Sequence, residues 1–426
     1  MSDSRMIELL EALFPICRSI TGNGVRQSLQ LLQNIIPLDI VEVASGTQVL
    51  DWQVPREWNV QEAYIKDKSG SRIIDFRRNN LHVMSYSAPV HRTMPLNELK
   101  PHLFSLPEQP DLIPYRTSYY EENWGFCLTH NQLQGLDDDD YEVVIESTLE
   151  NGSLSYGECF LPGKSRQEVL ISTHICHPSL CNDNLSGIAV ATFLADSLRN
   201  RDTRYSYRFL FLPVTIGAIT WLARNEARLG NIRHGLVASN LADQGGFTYK
   251  KSRSGRSGID RVAEYVLRTS GVPYEIRDFV PYGYDERQYG SPGFDLPVGS
   301  LSRSPYGEYP EYHTSADNLS FISHDNLQQS LEIYKAIVDT LECGRYFRNL
   351  LPKGEPQLGK RGLYKKVGGE TEQKESQMAM LWVLNASDGH NSLLDIAELS
   401  GIGLESITLA AQQLVSHGLL EEIQDT

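Results

Sequence analysis

Apolar residues recur at helical spacing near the start of the chain: Met6, Leu9, Leu10 and Leu13, then Val25, Leu29, Leu32 and Ile35. The stripe breaks at Ser19-Ile20-Thr21-Gly22-Asn23-Gly24, so the pattern predicts two short helices joined by a turn. From about 48 to 140 the texture changes to short alternating or aromatic runs at 49–52, 73–76, 81–84 and 124–128, separated by Pro, Gly and Asn. Such runs predict a β-rich module, closed by the acidic stretch 137–140, which reads as a solvated loop. Beyond it, apolar runs at 168–173, 207–212, 235–239 and 296–301 alternate with helical patterns near 185–199, 216–229, 258–270 and 324–343. Strands alternating with helices predict an α/β fold, a mostly parallel sheet with helices on both faces. Ligands of such sheets sit beyond the carboxyl ends of the strands, so the residues just after each strand carry the information about function.

Residues 352–376 read as a charged, Gly-rich linker. Three helical patterns (about 376–386, 392–399 and 404–417) and a short apolar ending at 418–423 then predict a winged-helix-like domain. The expected organisation is an α/β domain from 1–47 and 141–352, a β-rich insert at 48–140, and linker plus winged helix at 353–426. Winged helices commonly meet DNA, but residues 375–426 hold eight Asp or Glu and no Lys or Arg. A surface that cannot neutralise a phosphate is a poor nucleic-acid binder, and a structural or protein-contact role is expected instead. Trp382, Leu384, Leu404 and Leu414 would give it an apolar face, which makes a homo-oligomer an expectation.

The charge balance points the same way. With 426 residues and a formal net charge of −15, the chain is long enough for several domains and repels nucleic acid and anionic membranes at long range. Its longest apolar stretch, 209–223, is 15 residues and contains Pro213, short of the roughly 20 that span a bilayer. The N-terminus MSDSRMIELL lacks the basic flank and long apolar core of a signal peptide. Six scattered cysteines, Cys17, Cys127, Cys159, Cys176, Cys181 and Cys343, are therefore expected as reduced thiols in a cytoplasmic protein.

The strand ends carry the candidate chemistry. The first apolar run leads into His174, with Asp183-Asn184 and then Ser186-Gly187 opening a helix; the third leads to Asp243, and His313 precedes the last long helix. A His, two Asp and a second His from separate strand ends form a nitrogen and oxygen set that suits zinc. Cys176-His177 is not spaced like a catalytic Cys/His pair, whose members come from distant segments. Packing is the favoured reading of Cys176 and Cys181, with a thiolate zinc pair as the alternative.

These residues also carry a resemblance. His174 with Asp183-Asn184 and Ser186-Gly187, Pro213-Val214-Thr215-Ile216-Gly217, Asp243, and Tyr312-His313-Thr314-Ser315-Ala316-Asp317 resemble the segments of the zinc aminopeptidase family that includes bacterial leucyl aminopeptidases and glutaminyl cyclases. Ser19–Gly24, Tyr119-Tyr120 with Trp124–Leu128, and Pro305-Tyr306-Gly307-Glu308-Tyr309 resemble more closely the aminopeptidase-like proteins of bacterial polysaccharide and secondary-metabolite gene clusters. Those proteins combine a peptidase domain, an inserted β-rich domain and a C-terminal winged helix. The resemblance implies His174, Asp183 and Asp243 around one metal, with Asp183 able to bridge to a second ion held by His313.

Three departures alter what it implies. Cys176 stands where the family has an Asp that orients the first histidine. Thr215 stands at a ligand of the second metal, which favours one zinc ion over two. Val214 stands where the family has its general base, and valine cannot accept a proton. Glu308, Glu311, Asp285 and Glu286 are the candidate replacements, with Glu308 and Glu311 preferred for their closeness to His313. Tyr282, Asp285, Arg287, Tyr312 and Trp124 are candidate substrate contacts, and Tyr119 and Tyr120 would join Trp124 in an aromatic wall from the insert. The expected function is zinc-dependent hydrolysis of an amide or peptide bond in a small amino-acyl or peptide-like substrate, the alternative being an impaired or repurposed peptidase fold acting in binding or biosynthesis.

Overall fold

The computed structural model describes residues 2–363 and 371–423; the stretch 364–370 of the expected linker lies outside the described residues. Two compact units are present, 1–334 and 335–426. The first is built on an eight-stranded sheet in the order Asp39–Ala44, Ser153–Leu161, Ser206–Leu212, Glu168–His174, Ile232–Ala238, Val298–Ser302, Phe247–Lys250, Tyr274–Arg277. Its four central strands run parallel, and antiparallel pairings begin on either side of them. Every residue of Glu168–His174 and Ser206–Leu212 is buried, as expected for strands covered on both faces. Helices Gly187–Leu198, Ile216–Asn225 and Gly258–Thr269 occupy the stretches that the apolar periodicity predicts. So do the first two helices, Ser2–Leu13 and Asn23–Gln33.

The β-rich module differs in two places from its sequence reading. Residues 81–84 do not form a strand: Asn79 accepts from the Leu81 amide and turns the chain into a short 3-10 helix, Asn80–His82. The acidic stretch does not close the module either. Asp140 opens the strand Asp140–Glu150, which pairs with Glu57–Lys66 and Val90–Pro95 in a separate four-stranded sheet. Its Val143, Val144 and Ile145 are buried there, so the module's sheet continues past the polar run. Alternation in 141–149 is the signal, and four adjacent acids obscured it.

In the second unit Tyr346–Asn349 is the middle strand of a three-stranded sheet with Asp388–Ser392 and Leu420–Ile423. Helices Thr371–Ala386, Leu393–Ser400 and Leu404–Ser416 complete it. Ser392 and Asp395 form a reciprocal capping box, and Gly401, at φ 70°, ends the following helix in the left-handed region that glycine tolerates. The domain therefore begins with a strand upstream of the expected linker. No helix among the described residues is long and apolar enough to cross a membrane.

One buried ion cluster ties three strands of the main sheet. Arg208 grips both carboxylate oxygens of Glu168 at 2.6 and 3.0 Å and also pairs with Glu158, to which the Trp221 indole donates. All three charged side chains are almost wholly withdrawn from solvent. Removing the cation leaves two buried carboxylates facing each other, which costs about 3–5 kcal/mol. Arg208→Ala is expected to lower the urea unfolding free energy of the first unit by that order, and an unchanged midpoint would show the cluster to be neutral.

Candidate metal centre

The strand Glu168–His174 delivers His174 to the carboxyl edge of the sheet. Seven residues later the chain enters a tight turn, Cys181–Ser186, that runs into helix Gly187–Leu198. Gly187 permits this path: a Cβ there would lie 2.4 Å from Asn184 Oδ1 and 2.5 Å from the Ala238 carbonyl. Within the turn Asp183 is fully buried. Asp317 holds the turn from outside, its carboxylate accepting from the amides of Cys181 (3.0 Å), Asn182 (2.6 Å) and Asp183 (2.9 Å). Burial pushes the Asp317 carboxyl up to about 7, against the pull of those amides.

Three imidazoles surround the Asp183 carboxylate. His174 Nε2 lies 2.8 Å from one oxygen, His313 Nε2 3.0 Å from the other, and His177 Nε2 4.0 Å from that second oxygen. Burial opposes ionisation of Asp183, but the imidazoles around it, with His174 and His313 in hydrogen-bond contact, outweigh it and hold the carboxyl well below its usual range. Burial pushes His177 down to about 3, so its ring is neutral and has a free lone pair at physiological pH. His174, His177 and Asp183 bring one ligand atom each within 4.8 Å of one another. His174 Nδ1 is buried without a hydrogen-bond partner. Imidazoles gathered on one buried carboxylate, with a ring nitrogen left over, form a nitrogen and oxygen donor set whose chemistry fits a zinc ion.

Aromatic rings fix the histidines. Tyr284 stacks on His174 at 4.9 Å and Tyr312 on His313 at 3.9 Å, and the edge of Tyr115 meets His177 and His313 at 5.1 and 5.0 Å. Tyr115 comes from the β-rich module, and its amide also donates to the His313 carbonyl at 2.7 Å. Ile113 and Ser315 are hydrogen-bonded through both backbone and side chain, so residues 113–115 clamp the segment around His313. His313 itself takes φ 55°, a left-handed conformation that a histidine adopts only under such restraint.

The structure gathers His174, Asp183 and His313 and adds His177, which the sequence reading did not place among the candidate ligands. It does not bring Asp243 into the group. The Asp243 carboxylate is occupied by the Asn182 side chain (2.9 Å), the Gly245 amide and the Ser304 amide and hydroxyl. The residue that follows Ile232–Ala238 toward the centre is Asn240, whose Oδ1 accepts from the Tyr284 hydroxyl at 2.7 Å.

The other candidate residues lie in the following surroundings. Glu308 is half exposed and paired with Arg277, and Glu311 takes part through its carbonyl, which accepts from Thr314. The Tyr282 ring is exposed and packs on Tyr306, and Trp124 stacks on His102 at 3.7 Å within the module. Glu286 is buried in a pair with Lys250. Asp285 is buried with Oδ1 unpartnered, as is the Nε of Arg287. Burial, then the Glu286 charge, push the Asp285 carboxyl well above its ordinary value.

At the end of strand Ser206–Leu212 the Val214 amide donates to the Cys176 thiol at 3.4 Å. Burial pushes that thiol up to about 12, which leaves it protonated, and the Asp285 and Asp183 charges act on it in the same direction. Cys181 is likewise buried and free, and its thiol is raised by burial. Tyr115, Tyr284 and Asp317 were not singled out in sequence. For Asp317 a signal existed, its position four residues after His313 at the close of the same motif.

A family described as a domain of unknown function, DUF4910, matches residues 7–344, and a winged helix-turn-helix family matches 345–422. A Clostridium acetobutylicum protein, provisionally named a polysaccharide biosynthesis protein with an aminopeptidase-like domain, is 55% identical over 413 residues, 97% of this chain and 95% of its own. A crystal structure of a protein from that organism, provisionally described as a peptidase, is 53% identical with TM-score 0.93, over 99% of this chain and 96% of the other. BSAP, a zinc aminopeptidase from Bacillus subtilis, shares the fold at 14% identity and TM-score 0.57, over 80% of this chain and 94% of its own.

Asp317→Asn tests the clamp on the turn. The amide presents one acceptor oxygen where the carboxylate presents two, and its NH2 opposes a backbone donor, a loss of about 1–3 kcal/mol. Urea unfolding should register that loss. Zinc competition titration should show affinity reduced roughly 10–100-fold, the usual cost of losing a group that orients a ligand; unchanged values in both would mean that the clamp does not position Asp183.

Proposed function

This chain belongs to the DUF4910 family, and from that membership and the geometry of its centre we propose that it is a zinc-dependent hydrolase of the aminopeptidase type. Its substrate would be a small amino-acyl or peptide-like molecule, cleaved at an amide or peptide bond. The observation that carries this reading is the set of three imidazoles around one buried carboxylate, in a fold shared with zinc aminopeptidases. His174, His177, Asp183 and His313 would hold one ion. When bound, zinc supplies Lewis-acid polarisation of a carbonyl and an acidified water.

The chain's own residues divide the remaining work. Tyr284, Tyr312 and Tyr115 keep the imidazoles in place, so that little reorganisation accompanies reaction. Proton transfer falls to Asp285. Val214 and the protonated Cys176 thiol cannot accept a proton, and Glu308 and Glu286 are committed to Arg277 and Lys250. Asp285 has a buried, unpartnered oxygen and lies within electrostatic reach of Cys176, so it is the carboxyl free to take and return a proton. Arg287, with a buried unpartnered Nε, would hold a substrate oxygen. The acidic C-terminal unit would act in protein contacts rather than on nucleic acid, and six free cysteines fit a cytoplasmic protein.

Val214 favours one other reading, a repurposed fold that binds its ligand without cleaving it. The two separate by experiment. Purified protein should contain about one zinc per chain, the expectation for a single donor cluster that leaves one position to water, and chelation should lower its melting temperature. It should hydrolyse members of an amino-acyl amide panel, with Asp285→Asn reducing turnover about 10²–10⁴-fold at unchanged zinc content. Zinc-loaded protein inert on the panel, but activated by Val214→Glu, would establish the binding role instead.

A further inference from the structure

Away from the centre, the β-rich module carries a cavity of about 470 Å3 that no step above uses. Its rim is formed by Trp52 and Tyr120, large rings left 44% and 49% exposed with centroids 5.2 Å apart and planes tilted by 59°. Its floor is Tyr86, buried, with its hydroxyl donating to the Arg56 carbonyl. Around the rings stand planar polar side chains: Gln53, Asn151, Asp51 and Glu121, and Arg56, which pairs with Glu122. Exposed rings set at an angle, over an open hollow edged with amides and carboxylates, are costly to leave in water and useless for packing a core. They match a ligand whose faces are apolar C–H and whose edges are hydroxyls, which is the surface of a sugar ring.

The cavity also connects with the histidines. Tyr120 meets Tyr119 at 6.4 Å and Tyr86 meets it at 6.1 Å; the Tyr119 hydroxyl bonds that of Tyr115 at 2.7 Å, and Tyr115 touches His177 and His313. One aromatic wall therefore runs from the hollow to the metal centre. Within the hollow Asp51, Glu121 and Glu122 outnumber Arg56, so a cation is favoured over an anion there.

We propose that this cavity is a saccharide subsite that takes an amino sugar, acylated in the substrate and cationic once its nitrogen is free. What then happens to the bound sugar rests on the hydrolase reading: water adds its hydroxyl to the amino-acyl carbonyl carbon, the carbon–nitrogen bond breaks, and the sugar nitrogen leaves with the water's other proton. No oxidant or reductant is involved; the freed amine takes the proton of the new carboxylic acid, and the resulting ammonium is the cation that the acidic rim retains. Binding itself requires none of these steps.

Calorimetry on the full chain tests it, with the β-1,4-linked glucosamine disaccharide as probe, beside its N-acetylated counterpart and a galacturonic acid disaccharide. The glucosamine disaccharide is expected to bind about tenfold more tightly than the acetylated one and the acidic one least, the scale of an exposed charge contact. Trp52→Ala and Tyr120→Ala, both at exposed positions, should each weaken it about tenfold or more, with melting temperatures confirming the fold. Asp51→Asn with Glu121→Gln should abolish the preference for the amine while sparing the neutral sugar. Absence of binding, binding indifferent to both aromatic variants, or preference for the acidic sugar would overturn the proposal. The titration is repeated on zinc-stripped protein. Binding that persists there, in protein that leaves N-glycyl-glucosamine uncleaved when zinc is restored, supports the subsite and fails the hydrolase reading. Cleavage without binding does the reverse.

Discussion

A carboxylate sealed from water keeps its charge only if its surroundings repay the lost hydration, and the centre of this protein is organised around that requirement at Asp183. Three imidazoles face its oxygens and its own amide is anchored by a second buried acid, Asp317. These partners come from two distant parts of the chain. His174 ends a central strand, His177 and Asp183 lie in the connection to the next helix, and His313 and Asp317 belong to a loop 130 residues further on. Stability and chemistry are therefore joined at one point. The contacts that make the charge tolerable also bring the donors to where a cation would bind.

The β-rich module is part of that arrangement. Residues 113–115 bond to 313–315, and Tyr115 lies against two of the histidines while holding the backbone of one. His313 sits in a conformation unfavourable for its residue type, which a freely moving loop would relax. A two-stranded contact of this kind gives an inserted module direct influence over the geometry of the centre, and it places the module's aromatic surface along one approach to it.

The surroundings of Val214 show how polar groups are satisfied in this dry interior. Cys176, a buried neutral thiol, receives the Val214 amide, and Asp285 has one buried oxygen without a partner. Asp243 occupies a network with Asn182 and Ser304, while Asn240 bonds Tyr284. Which groups are already paired decides which residue is available for chemistry.

The amino-acid sequence by itself determined the alternation of strands and helices in the sheet domain, because buried strands and amphipathic helices impose their periods on local composition. It also determined His174, Asp183 and His313, which stand at strand ends or in a motif where position along the chain implies position in space. It did not determine the strand Asp140–Glu150 behind its acidic run, nor Tyr346–Asn349, whose partners lie about forty and seventy residues later, because pairing is a long-range contact with a weak local signature. Only the tertiary structure decided that His177 belongs to the group and Asp243 does not. A side chain's role there depends on which other groups reach its polar atoms first, and for Asp243 two of those groups, Asn182 and Ser304, come from segments about sixty residues away on either side.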